Sequence, residues 1–205
     1  RIRWKSLYDK PSLLECAANS DKQQGDNVSF YFPVAAERYS NRTRKIYPHL
    51  KIVISSPLQI ENLLPYDMMY RIYDKTIRKF WLVLLKKGSS SSIHFVNIKN
   101  LLLMSVEPLN CGFQKSEFVI IHAPEESGFP TDSRLDLKHD DGQKLHLNID
   151  YGVSKDGNSN SGLNVTIYSP YIILNRTGQS LILGEKYNAL HSIATSSLED
   201  PNKMK

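Results

Sequence analysis

Apolar residues recur along this chain with a period of two, the spacing that sends successive side chains to opposite faces of a strand. The clearest case is RLDLKHDDGQKLHLNID, residues 134–150. Leu135 and Leu137 alternate with charges, Asp141-Gly142 supplies a turn, and Leu145, Leu147 and Ile149 alternate again. Asp-Gly readily takes the positive φ angles of a tight turn, so this segment is predicted to be a β-hairpin. Further strands are predicted in VSFYFPV (28–34), LKIVIS (50–55), MMYRIYD (68–74) and KFWLVLLK (79–86). The series continues with SIHFVNI (92–98), LLLMSV (101–106), EFVIIHA (117–123) and LNVTIYS (163–169). KKGSSSS (86–92) and SKDGNSNSG (154–162) read as polar hairpin loops, DKQQGDN (21–27) as a mobile stretch, and SLLECAANS (12–20) as the candidate helix. Strands separated by Ser, Gly, Asn and Pro turns predict an all-β fold of tandem, sandwich-like repeats of antiparallel strands.

The pattern contains a repeat. SSPLQIENLLPY (55–66) returns as YSPYIILNRTGQ (168–179), which places Ser56 on Ser169, Pro57 on Pro170, Ile60 on Ile173 and Asn62 on Asn175. Every pair is 113 residues apart, without a gap. The match extends back through Ile52-Val53-Ile54 on Val165-Thr166-Ile167. It extends forward through Pro65 on Gly178 and Met68-Met69-Tyr70 on Leu181-Ile182-Leu183. A fixed period of this kind marks a repeat architecture. The expected organisation is the end of a preceding repeat over 1–50, one complete repeat over 51–163, the start of the next over 164–191, and a disordered tail over 192–205. Such a portion closes on itself if strands are exchanged between repeats.

Composition narrows the class without naming a chemistry. With 205 residues the chain can bury a sizeable core, and 40% hydrophobic with 23% charged residues is ordinary for a globular protein. Its longest apolar run, Phe80 to Leu85, is far short of the ~20 residues of a spanning helix. The opening RIRWKSLYDK has no signal-peptide pattern and no initiating Met, as expected of a piece of something longer. Cys16 and Cys111 make neither a disulfide framework nor a thiolate cage. Sequons stand at Asn27, Asn41, Asn164 and Asn175. They would serve a secreted glycoprotein domain, although the cytosol is the favoured reading.

The net charge of +5 is uneven. Arg71, Lys75, Arg78, Lys79, Lys86 and Lys87 face a single acid, Asp74, and RYSNRTRK (38–45) forms a second basic run. These residues read either as the solvated side of strands and turns or as a patch for anionic membrane or an acidic partner, with Arg71, Lys75, Arg78 and Lys79 at its centre. Nothing points to nucleic acid.

No catalytic pattern appears. The six histidines lack metal-ligand spacing, and no nucleophile elbow or phosphate-cradling glycine loop occurs. His139-Asp140-Asp141 is explained by the hairpin tip. The expectation is therefore a non-enzyme with no cofactor and no metal. What recurs instead is Asn62 and Asn175. Each closes a strand opened by Pro, and each carries a carboxamide able to donate two hydrogen bonds and accept others. That side chain could lock the strand end by bonding turn backbone, or it could contact a partner.

YPHLKIVISSPLQIENLLPYDMMYRI (47–72) and GLNVTIYSPYIILNRTGQSLIL (162–183) resemble the mid-to-late region of the vacuolar protein sorting thirteen family of bridge-like lipid-transfer proteins. The resemblance covers roughly residues 45–185. It implies the adaptor-binding region, also described as SHORT-ROOT-binding-like, a chain of β-rich repeats each marked by one invariant Asn that Asn62 and Asn175 match. It further implies recognition of Pro-x-Pro motifs on organelle-specific adaptors. The protein would then be cytoplasmic and peripheral at membrane contact sites of endosome or vacuole and mitochondrion. A purely architectural repeat is the other role that this resemblance allows.

Overall fold

The computed structural model describes residues 12–17, 29–38, 50–153 and 162–180. The chain divides into two compact units, Arg1–Pro170 and Tyr171–Lys205. The expected mobile stretch 21–27, most of the loop 154–162 and the tail 192–205 lie outside the described residues.

The described residues of the first unit hold twelve strands: β1 (Ser12–Ala17), β2 (Ser29–Arg38), β3 (Leu50–Ile54), β4 (Leu58–Asn62), β5 (Met68–Asp74), β6 (Lys79–Leu85), β7 (Ser90–Ile93), β8 (Leu102–Pro108), β9 (Val119–His122), β10 (Arg134–Lys138), β11 (Lys144–Val153) and β12 (Leu163–Tyr168). They form three sheets, ordered β1-β2-β3, β10-β11-β12-β4-β7 and β6-β5-β8-β9. One 3-10 turn, Glu125–Ser127, interrupts them. The all-β fold expected from the period-two pattern is the fold observed.

Alternation produces the layering. β4 buries Leu58, Ile60 and Asn62, β10 buries Leu135 and Leu137, and β5 buries Met68, Tyr70, Ile72 and Asp74 while turning Met69, Arg71 and Tyr73 outward. The inward residues of the five- and four-stranded sheets merge into one core that also takes in Met104, Val106, Val165 and Ile167. Full burial of a Leu, Ile, Val or Met side chain is worth about 1.5–3 kcal/mol. Pairing of these two faces is therefore the main source of stability.

Four expectations need correction. Residues 12–17 are a strand, not a helix. All six pair with β2, from Ser12↔Val34 to Ala17↔Ser29, and a segment this short has no helical stability to set against a complete ladder. The strand expected over 92–98 is instead β7, beginning at Ser90 and ending at Ile93. Beyond it the Asn97 carboxamide oxygen accepts from Lys99 N, and Asn97 O accepts from Asn100 N, turning the chain. The polar segment from Lys86 is not a hairpin loop, because β6 and β7 belong to different sheets and the chain crosses between them. Finally, not every pairing is antiparallel.

The exception is where the repeat shows itself. β12 lies parallel to β4, pairing Leu163↔Leu58 through Ile167↔Asn62. Leu163 N donates to Pro57 O, and Leu63 N donates to Ile167 O, each at 2.9 Å. A parallel pair needs a long connection, supplied here by everything from β5 to β11. Gly162 leads into this joint because there is no room for a side chain: a Cβ would lie 2.0 Å from Ser56 O and 2.4 Å from Pro57 O.

Gly162→Ala is accordingly expected to force the two backbones apart and to lower stability by about 1–3 kcal/mol, read as a reduced denaturation midpoint. An unchanged midpoint would mean that this contact is not tight.

Candidate functional site: an asparagine-locked corner beside an open strand edge

Asn62, the last residue of β4, is fully buried and its side chain is fully bonded. Its Oδ1 accepts from Leu64 N at 3.0 Å. Its Nδ2 donates to Tyr66 O at 2.9 Å, Lys86 O at 3.2 Å and Leu85 O at 3.4 Å. The main chain adds two bonds, Asn62 N to Ser89 O and Gly88 N to Asn62 O, each 2.9 Å. Gly88 has φ +66°, a left-handed conformation that favours glycine. One carboxamide thus closes the loop after β4 and pins the C-terminal end of β6, joining the two faces of the sandwich at a corner. All of its partners are backbone groups of this chain.

Asn175 stands in the second unit, described by itself. Its Oδ1 accepts from Thr177 N at 3.0 Å, and its Nδ2 donates to Gln179 O at 2.7 Å. These are the same i+2 and i+4 bonds that Asn62 makes to Leu64 and Tyr66. Thr177 Oγ1 adds a bond to Oδ1 at 2.7 Å. The resemblance is local. Asn175 is exposed, and residues 171–175 carry no strand, whereas the matching 58–62 are β4.

The basic residues divide between two places. Arg71 lies on the outward face of β5 and is engaged by Glu107 at 2.9 Å. Lys75 and Arg78 are exposed at the β5–β6 turn, and Lys79 starts β6 opposite Asp74. Arg78 has φ +54°. Buried Asp74 shapes that turn, accepting from Thr76 N (2.9 Å), Ile77 N (3.2 Å) and Asn100 Nδ2 (2.7 Å). At the hairpin tip, Asp141 Oδ1 accepts from Gln143 N, Gly142 has φ +90°, and the His139 ring packs edge-on to Phe113. Turn geometry accounts for these residues. Among the described residues no group of three or more His, Cys, Asp and Glu could hold a metal ion.

Sequence reasoning predicted the strand at 79–86, which is β6, but not the apolar stripe that it leaves exposed. β6 is an outer strand of its sheet, with no described strand on the side away from β5. Its alternate residues Phe80, Leu82 and Leu84 are each more than half exposed, and Ile77 in the preceding turn is exposed as well. Natural proteins usually blunt such edges with charge, proline or a cover. At its N-terminal end lies a cleft of about 470 Å³ lined by Tyr31, Trp81, Phe95, Arg78 and Lys79 among others, with the Trp81 and Phe95 rings 4.9 Å apart. The signal was present in the run Phe80–Leu85. Six apolar residues without alternation make a strand apolar on both faces, and only one face of an outer strand can enter the core.

Residues 1–205 match the family model described as vacuolar-sorting associated protein 13, adaptor binding domain. The chain is also 37% identical over 185 residues to an intermembrane lipid transfer protein, VPS13, of Chaetomium thermophilum. That match takes in 89% of this chain but 6% of the relative, so the chain spans a small part of the length of the protein it resembles.

The two asparagines are expected to respond differently to the same change. Asn62→Ala leaves several buried backbone groups unpaired and should cost about 2–3 kcal/mol. Asn62→Asp, which sets a carboxylate against three carbonyl oxygens, should cost at least as much. Asn175→Ala, exposed, should stay within about 0.5 kcal/mol. Denaturant unfolding of the three variants checks this, and equal losses for Asn62→Ala and Asn175→Ala would contradict it.

Proposed function

Because this chain belongs to the adaptor binding domain family of vacuolar-sorting associated protein 13, we propose that it is a non-enzymatic docking module for adaptor proteins, and that the ligand it grips is a short Pro-x-Pro segment. Through such adaptors it would direct the lipid transfer protein that carries it to contact sites at endosome or vacuole and mitochondrion.

The observation that carries this reading is the β6 edge. An extended segment laid beside Phe80–Leu84 would bond the alternate backbone N–H and C=O groups facing away from β5, while its side chains met the stripe of Phe80, Leu82 and Leu84. Proline suits such a ligand twice over. Its missing N–H costs nothing where that group would face solvent, and its fixed φ lowers the entropy lost on ordering. The aromatic cleft of Tyr31, Trp81 and Phe95 offers flat apolar surfaces to pyrrolidine rings. Asn62 contributes indirectly, by fixing the end of the docking strand through Leu85 O and Lys86 O.

A second reading rests on the β5–β6 turn, where exposed Ile77 stands between Lys75 and Arg78. A tip of this kind suits an anionic membrane surface, at about 1 kcal/mol per basic residue near the lipid.

Fluorescence anisotropy with labelled Pro-x-Pro peptides tests the first reading. Leu82→Glu and Leu84→Glu should each weaken binding at least about tenfold, or 1.4 kcal/mol, without changing the melting temperature. Replacing both peptide prolines by alanine should weaken it similarly. Undiminished binding by both variants would rule out the β6 edge. Flotation with anionic vesicles tests the second reading: binding that falls with salt and with Lys75→Glu plus Arg78→Glu would support it, and salt-insensitive binding would not.

A further inference from the structure

The two sheets of the core meet along their outer strands, where residues 113–120 run beside β10. At one end Phe113 bridges His139, and Gln114 N donates to Lys138 O at 2.8 Å. At the other, Asp132 N donates to Ile120 O at 2.8 Å, Asp132 Oδ2 accepts from Ile120 N at 2.7 Å, and the Tyr151 hydroxyl donates to Asp132 O. Both closures belong to one antiparallel register, which continued between them would set Ser116 opposite Asp136 and Phe118 opposite Arg134. The ladder does not continue. Ser116 turns its main chain the other way, toward β8: its N donates to Val106 O, its O accepts from Ser105 Oγ, and its Oγ accepts from Val106 N. A groove of about 520 Å³ opens in the gap, lined by Lys115, Glu117, Phe118, Arg134, Asp136 and Lys138 among others. Its walls and both of its closures are described residues from the interior of the chain.

The groove has a hydrogen-bonding pattern and a charge. β10 bonds β11 through its odd-numbered residues, since Ser133 O accepts from Ile149 N and His139 N donates to Gln143 O. The main-chain groups of Arg134, Asp136 and Lys138 therefore point away from β11, toward the groove. Among the described residues only Lys138 O finds a main-chain partner there. The acids at the groove are mostly engaged: Asp136 by Arg134 Nε at 3.0 Å and His146 Nδ1 at 2.7 Å, and Asp132 by Ile120 N. Lys115, Lys138 and Lys144 are exposed and form no ion pair among the described residues. Lys138 and Lys144 also stand directly opposite one another across β10 and β11, an arrangement that destabilises a hairpin unless an anion meets it. We propose that the groove binds an acidic segment of a partner protein, with its carboxylates among Lys115, Lys138 and Lys144 and its main chain bonded to Asp136 and to Lys138 N. The closures limit the contact. From Asp132 to Lys138 the chain runs about 20 Å, enough for a short bent stretch and not for a long strand. Glu117 lines the groove with no ion pair of its own among the described residues and opposes such a ligand. This inference is independent of the Pro-x-Pro reading, because β10 and β6 belong to different sheets.

Fluorescence anisotropy of the full chain with a labelled hexaglutamate peptide is the test, with hexaglutamine as the control. Hexaglutamate is expected to bind and hexaglutamine not to, with an affinity that falls as salt rises. Lys115→Glu and Lys138→Glu should each weaken binding at least about tenfold at an unchanged melting temperature, and Glu117→Gln should strengthen it. Lys75→Glu plus Arg78→Glu, at the other basic site, should leave it essentially unchanged. Amide exchange at Asp136 and Lys138 should slow on binding, which charge attraction without main-chain bonds would not cause. No binding of hexaglutamate up to about 1 mM would overturn the proposal, as would binding undiminished by both Lys115→Glu and Lys138→Glu. Equal losses in the Lys75/Arg78 double variant would reduce the effect to the net charge of the chain and overturn it too. So would flotation with anionic vesicles that depends on Lys115 and Lys138, which would assign the groove to lipid.

Discussion

A single carboxamide holds the corner on which this structure turns. Asn62 ends a strand of one sheet and bonds the end of a strand in the facing sheet, through Leu85 O and Lys86 O, while closing its own loop through Leu64 and Tyr66. A buried amide whose oxygen and nitrogen are both bonded is stable, but the same group with partners removed is costly. The sandwich faces could slide if only apolar contacts joined them, because such contacts are non-directional. Hydrogen bonds from a short side chain admit one geometry. Strand β6, outermost among the described strands of its sheet, is therefore presented with its end fixed.

The repeat gives the same residue two fates. Asn62 and Asn175 make matching i+2 and i+4 bonds, so the loop is written locally in the motif. Burial is not local. Asn62 is enclosed because β12, β7 and the end of β6 surround β4, and those partners come from residues up to 105 positions away, such as Ile167. Residues 171–175 keep the loop and carry no strand. The parallel β12–β4 joint brings the strand that leads into the second copy of the motif against the first copy.

What could be read in the sequence follows the same division. Period-two alternation identified β5, β10, β11 and β12, because each pairs with a neighbour on a regular ladder and buries one face. The Asp141-Gly142 turn was legible because its conformation is set by two adjacent residues. The strand at residues 12–17 was misread because Leu13, Leu14 and Ala17 are as compatible with a helix as with a strand, and only the β2 ladder decides. The crossing from β6 to β7 and the parallel joint were hidden because sheet membership depends on distant partners. The basic cluster around Arg71 looked continuous in sequence, but alternation put Arg71 on a sheet face beside Glu107 and left Lys75 and Arg78 at a turn. The exposed stripe of Phe80, Leu82 and Leu84 escaped notice for the opposite reason: an unbroken apolar run suggests burial, and only position in the sheet shows which face is left over.

The most direct measurement is amide hydrogen exchange, resolved by residue, with and without a saturating Pro-x-Pro peptide. If an adaptor segment adds to the edge held by Asn62, alternate amides across Phe80–Leu84 should slow, with the inward set paired to β5 unchanged. Slowing confined to the Lys75–Lys79 turn, or none along β6 while the peptide is bound, would contradict a docking strand there.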